Sequence, residues 1–246
     1  MPPGSTGPGK AMSAMPSALI RNLDLKLLAA FLVLALLLAG VGNLASEVVE
    51  GDTLAFDRWL IEGLRDPSGS PSGPAWLTKT MVDLTALGGG PFLTLLTIAA
   101  AGFLLAARKR GMALFVVVAI AGGGLAANLL KWVFVRARPD LVPHLVSVDS
   151  ASFPSAHAMN SAVTFLTLGV LLSRSQKDRR VKAYLLGAAL VLTLIVGFSR
   201  VYLGVHWPTD VIAGWAVGAA WAIACSLLAT WLQRRRSIEA AEPGGA

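Results

Sequence analysis

Six apolar runs divide the chain: Leu25–Gly42, Pro91–Ala107, Met112–Val135, Ala158–Ser173, Ala183–Phe198 and Val211–Leu232. A helix needs roughly 20 apolar residues to cross the hydrocarbon core of a bilayer, so the pattern predicts six transmembrane helices. The stretch between the first two runs is different in kind. Thr53–Leu64 sets Leu54, Phe56, Trp59, Leu60, Ile61 and Leu64 among Asp57, Arg58 and Glu62, and Asp66-Pro67 stops it. Ala75–Leu87, after the turn-forming SGSPSGP, is a second half-apolar helix, closed by Gly88-Gly89-Gly90-Pro91. Both are too polar to span and are expected to lie along the membrane surface, with Trp59 and Trp76 at headgroup depth. Residues 1–20, rich in Pro, Gly, Ser and Ala, and residues 237–246 have no periodicity and read as disordered tails. That leaves one all-α membrane domain over 21–236, with outer-face amphipathic helices at 46–90.

Composition supports this reading. The 246 residues are 55% hydrophobic and 14% charged, against about 25% charged in soluble domains. The single cysteine, Cys225, excludes an internal disulfide and falls in an apolar run, where it serves packing. Gly122-Gly123-Gly124 and Gly214-x-x-x-Gly218 allow close helix approach. A cleaved leader competes for the first run, although Leu44-Ala45-Ser46 lacks a small-x-small pattern.

The net charge of +7 belongs to topology, not to nucleic acid. With the amino terminus in the cytoplasm and alternating spans, 14 of the 21 Lys and Arg residues fall on the cytoplasmic side. They are Lys10, Arg21 and Lys26; Arg108, Lys109 and Arg110; Arg174, Lys177, Arg179, Arg180 and Lys182; and Arg234, Arg235 and Arg236. This follows the positive-inside rule and puts both termini in the cytoplasm. A compact chain without glycosylation or retention signals suggests a bacterial inner membrane. Of the basic residues left on the outer side, Lys131, Arg136, Arg138 and Arg200 cluster beside the third and fifth spans. Cations retained next to hydrocarbon on the disfavoured side invite a functional explanation.

Three segments carry candidate chemistry. Lys131 and Arg138, seven residues apart on one helix, would point the same way, with Pro139 ending that helix; snorkelling at the interface explains such a pair equally well. Arg136 falls on another face and reads as a headgroup anchor. Pro154-Ser155-Ala156-His157 opens the fourth span, where Ser155 is a natural cap and the free N–H groups of the first turn, Ala156 included, form an anion site. The alternative is a plain cap before a surface histidine. Ser199–Asp210, SRVYLGVHWPTD, places His206 and Asp210 four residues apart. A carboxylate on one ring nitrogen fixes the tautomer and frees the other nitrogen for attack; alone, the pair could be only a capping histidine with a salt bridge. Together, the segments bring three cations, a helix start and two histidines to one side of the membrane. Cations and a helix start describe a phosphate receptor, and two histidines add a nucleophile and an acid.

In this order, K-x6-R-P, P-S-x-H and S-R-x5-H-x3-D resemble the type-2 phosphatidate phosphatase superfamily of integral membrane lipid phosphatases. Ala156 stands where that family usually has Gly; a backbone N–H and a small side chain suffice there. The resemblance implies that His206 attacks phosphorus to form a phosphohistidine while Asp210 holds its ring. It implies that His157 protonates the leaving group and then activates water. Lys131, Arg138, Ser155 and Arg200 would bind the phosphate oxygens, with Ala156 contributing its backbone. No metal and no cofactor are implied.

The expected substrate is a lipid phosphate at the outer leaflet: undecaprenyl diphosphate, phosphatidylglycerol phosphate or phosphatidic acid. The short outer loop before the second motif favours an isoprenoid diphosphate. His144 reads as an ordinary loop residue. Phosphoryl transfer to another lipid, and a transporter or binder without chemistry, are the competing functions; an oriented His–Asp pair argues for hydrolysis.

Overall fold

The computed structural model describes residues 17–239, so most of the 1–20 tail and residues 240–246 lie outside the described residues. The described residues form eight helices and no sheet: α1 (Ser17–Glu50), α2 (Leu54–Gly63), α3 (Ala75–Ala86), α4 (Gly90–Ala106), α5 (Arg110–Val133), α6 (Ala156–Arg174), α7 (Arg179–Tyr202) and α8 (Pro208–Arg234). Five of them are long and apolar enough to cross a membrane. A sixth span appears if α3 and α4, bent by 49° at Leu87–Gly89, are taken as one.

That pair departs from the expectation of a free surface helix before the second run. Gly88 makes the corner possible: a Cβ there would sit 2.3 Å from a Val196 methyl and 3.3 Å from the His157 carbonyl oxygen. The bend therefore packs against α7 and the start of α6, and brings the last turn of α3 to the same end of the bundle. α2 is likewise not only a surface helix. Ile61 and Asp57 are fully buried, and Ile61 packs with Val201, Trp207 and Val211. Trp59 and Trp76, by contrast, are exposed.

α6 is the central element, packed between α7 and α8, with α5 on a further side and α1 against α8. Small residues set the separation. A Cβ on Gly214 would meet the Ser155 carbonyl oxygen at 2.7 Å, and one on Gly218 would meet Ala162 Cβ at 2.5 Å. The Gly-x-x-x-Gly face thus seats α8 directly on α6. Cys225 is buried, in keeping with packing. At the opposite end from these first turns, Glu239 accepts hydrogen bonds from the Gly111 and Met112 amides (3.1 and 2.9 Å) at the start of α5.

Candidate active site

The ends of four helices meet at one end of the bundle. Lys131 lies in the last turn of α5, Ser155 at the N-cap of α6 with Ala156 and His157 following, and Arg200 in the last turn of α7. The turn 203–207 carries His206, and Asp210 sits in the first turn of α8. Gly204, with φ +74°, makes the reversal that delivers His206. A cavity of about 390 Å³ is lined by Lys131, Arg138, Ala156, His157, Arg200 and His206, with Thr85 of α3 and the loop 146–150. Ser155, adjacent to Ala156, and Asp210, 3.3 Å from the His206 ring, are both fully buried.

Three expected geometries are corrected. α5 stops at Val133, so Lys131 and Arg138 do not share a helix; Arg138 returns to the site on the connecting loop. The same early stop removes Arg136 from any lipid-facing surface. Its side chain is only 10% exposed and forms ion pairs with Asp57 (2.8 Å) and Asp210 (2.6 Å), so it is no headgroup anchor. Ser155 occupies the N-cap but its side chain makes no capping bond.

The hydrogen bonds fix the protonation of His206. Asp210 Oδ2 accepts from the Trp207 amide (2.9 Å) and from the Ser152 hydroxyl (2.5 Å). Ser152 spends its one proton there, so its oxygen can only accept from the ring. His206 Nδ1 lies 3.3 Å from both Asp210 Oδ2 and Ser152 Oγ. Two acceptors at Nδ1 require Nδ1–H, and Nε2 is left with a bare lone pair. The other side agrees, because Arg138 Nη1, which can only donate, is 3.3 Å from Nε2.

Burial pushes the His206 imidazole down to about 4, against the opposing pull of the Asp210 carboxylate. The neutral ring is therefore the folded form, while an unfolded ring takes up a proton near pH 6.5. The stability tied to this group is complete above about pH 6.5 and is lost as pH falls towards 4, by about 3 kcal/mol. Melting temperatures of detergent-solubilised protein between pH 7 and 4.5 should fall more steeply for the wild type than for His206→Gln.

The cations are only partly satisfied within the protein. Lys131 Nζ donates to Ser150 Oγ (3.2 Å) and to the Ala151 carbonyl. Arg138 donates to the carbonyls of Ser150 (2.8 Å) and Val205 (2.6 Å). Arg200 Nη1 donates to Thr85 Oγ1 (2.9 Å), but its Nε is buried with no partner, as is the Ser155 hydroxyl. Orphaned buried donors next to a cationic cavity fit an oxyanion that would complete them. His144 is elsewhere; its Nε2 donates to the Pro139 carbonyl (2.7 Å) and ties down the loop. Thr85 and Ser152 escaped sequence reasoning, since nothing distinguishes them from any small polar residue near a helix end.

The sequence pattern of the PAP2 superfamily matches residues 112–234, half of the chain and all three motifs. The chain belongs to this superfamily. Phosphatidylglycerophosphatase B of Bacillus subtilis is 34% identical over 147 residues, covering 58% of this chain and 70% of that protein. An undecaprenyl-diphosphatase of Sulfolobus acidocaldarius is 36% identical over 118 residues, 46% of this chain and 52% of that protein. The crystal structure of a transmembrane PAP2-type phosphatidylglycerolphosphate phosphatase from Bacillus subtilis superposes with a TM-score of 0.72 at 27% identity, covering 82% of this chain and 98% of the other. This PAP2 protein is thus an all-helical integral membrane phosphatase.

Proposed function

We propose that this PAP2 protein hydrolyses a lipid phosphate or diphosphate by way of a phosphohistidine on His206, at the outer face of a bacterial inner membrane. The bare Nε2 of His206 in a cation-lined cavity is the observation that carries the reading. In the first half, the Nε2 lone pair forms a bond to phosphorus as the bond to the leaving oxygen breaks. His157, which lines the same cavity, gives that oxygen its proton. The phosphorylated ring keeps its Nδ1–H and becomes cationic, and Asp210 Oδ2 stabilises that charge. In the second half, His157 takes a proton from water, the water oxygen bonds to phosphorus and the P–Nε2 bond breaks. Lys131, Arg138, Arg200 and the Ser155 hydroxyl hold the charge on the phosphoryl oxygens throughout.

The basic clusters at the opposite ends of the spans support an outer-face site through the positive-inside rule. Phosphatidylglycerol phosphate and undecaprenyl diphosphate are the first substrates to try, since relatives at 34% and 36% identity are named for phosphatases of such lipids. Among the described residues, no three His, Cys, Asp or Glu side chains gather as a group that could hold a metal ion. The test is phosphate release by purified protein from a panel of lipid phosphates in the presence of a chelator. Turnover of at least one is expected; no turnover, or turnover only on adding a divalent cation, overturns the metal-free hydrolase.

A further inference from the structure

Behind the nucleophile lies a buried ionic chain of which the proposed chemistry uses only Asp210. Asp57 of α2 and Asp210 of α8 are both fully buried, and Arg136 bridges them, with Nη2 at 2.8 Å from Asp57 Oδ2 and Nη1 at 2.6 Å from Asp210 Oδ1. Thr209 closes the group: its amide and hydroxyl donate to Asp57 (2.9 and 2.7 Å) and its oxygen accepts from Arg136 (2.9 Å). Arg136 also donates to Thr53 Oγ1 (3.3 Å), and its guanidinium carbon lies 5.4 Å from the centre of the Trp207 ring. The arginine is thus held from α2, from α8 and from the turn bearing His206.

The bonds of Asp210 divide by oxygen. Oδ1 takes Arg136; Oδ2 takes Trp207, Ser152 and His206. The charged or titratable groups that face this carboxylate or its partners are Arg136, Asp57, His206 and, beyond the ring, Arg138, with Lys131, Arg200 and His157 further into the cavity. Without Arg136, Asp210 would be a fully buried carboxylate with a neutral ring and a second buried carboxylate as its near companions. A buried charge without a counterion takes up a proton instead. The proton of a neutral Asp210 is shared between Oδ1, which Arg136 vacates, and Oδ2; whenever it is on Oδ2 the carboxyl donates, His206 Nδ1 has to accept, and the ring proton moves to Nε2, the atom that must attack.

We propose that Arg136, pinned by Asp57, is a positioning residue for the reaction: it holds Asp210 as a charged acceptor and so keeps Nε2 of His206 bare. The inference rests on His206 as the nucleophile. Lysine at 136 supplies the charge but not the fork that spans two carboxylates, so it should conserve the tautomer better than the rate.

The experiment is 15N-histidine NMR of the full chain in detergent, with kinetics on a lipid phosphate that the wild type hydrolyses. Wild-type His206, assigned through the loss of its signals in His206→Ala, should show Nδ1–H and a bare Nε2. Arg136→Gln should shift the tautomer population towards Nε2–H and lower kcat about 10- to 100-fold, with KM within about threefold. Arg136→Lys should restore the Nδ1–H form and part of kcat. Asp57→Asn, isosteric and remote from the cavity, should shift the tautomer in the same direction by less. A wild-type Nε2–H tautomer overturns the proposal, and so does a folded Arg136→Gln with unchanged tautomer and rate. Loss of fold in both Arg136→Gln and Asp57→Asn also overturns it, since the chain would then serve only the fold. The NMR reads the free protein, so these failures are separable from failure of the nucleophile reading, which shows as activity retained in His206→Ala.

Discussion

His206→Ala is expected to lower phosphate release by roughly 10⁴-fold or more, the scale seen when a covalent catalytic unit is broken. The fold should survive. Asp210 keeps the Trp207 amide, the Ser152 hydroxyl and Arg136 when the ring is gone, so no buried charge is left without a partner. Lys131, Arg138 and Arg200 also remain, and inorganic phosphate or vanadate should bind within a few-fold of the wild type by calorimetry. His157→Ala should also abolish turnover of lipid substrates, but for a different reason. Its loss removes the proton donor, so an activated aryl phosphate, whose leaving oxygen needs no proton, should still phosphorylate His206. That substrate should rescue nothing in His206→Ala. Arg58→Ala, at an exposed position on α2, should leave the rate within about twofold, as expected of a surface substitution. Activity retained in His206→Ala would remove the nucleophile assignment.

The largest structural effect is expected from Gly214→Val. A Cβ at Gly214 would lie 2.7 Å from the Ser155 carbonyl oxygen, 3.0 Å from Ala158 Cβ and 3.1 Å from the Met159 amide nitrogen. Two of these three are backbone atoms of α6 and cannot rotate away. Valine adds two more methyl groups to that clash, so α8 must lift from α6, at a cost of roughly 1–3 kcal/mol or more. The lift has a chemical consequence. Ser155, whose amide donates to the Asp210 carbonyl (3.0 Å), would part from the first turn of α8, separating the start of α6 from the His–Asp pair. Thermal unfolding in detergent should show a lower melting temperature, and kcat should fall even at temperatures where the variant is folded. Gly187→Ala, where no atom lies within 4 Å of an added Cβ, is the control and should change neither.

Legibility followed chemistry more closely than geometry. The three motifs could be read because His, Asp, Lys and Arg beside apolar spans are costly, and their retention called for a reason. The apolar runs could be read because a bilayer sets their length. What escaped was whatever depends on where a helix stops or turns. Nothing in Phe134-Val135 signals that α5 ends at Val133, so the seven-residue spacing of Lys131 and Arg138 suggested one helical face when a loop does the work. Asp57 looked like the polar side of an amphipathic helix, because its partner, Arg136, is 79 residues away. The half-apolar pattern of Ala75–Leu87 made α3 look like a surface helix, yet its last turn supplies Thr85 to Arg200. Ser152 carries no signal of its own; only the fold shows that its single proton, given to Asp210, settles the tautomer of His206.

The central claim is a covalent bond between His206 Nε2 and phosphorus. Its most direct test is to quench the protein in base during turnover of a radiolabelled lipid phosphate and map the label by peptide mass spectrometry. The account predicts an acid-labile, base-stable phosphoryl group on His206, absent from His206→Ala. A label on any other residue, or turnover with no labelled protein in a quench fast enough to catch the first cycle, would contradict it.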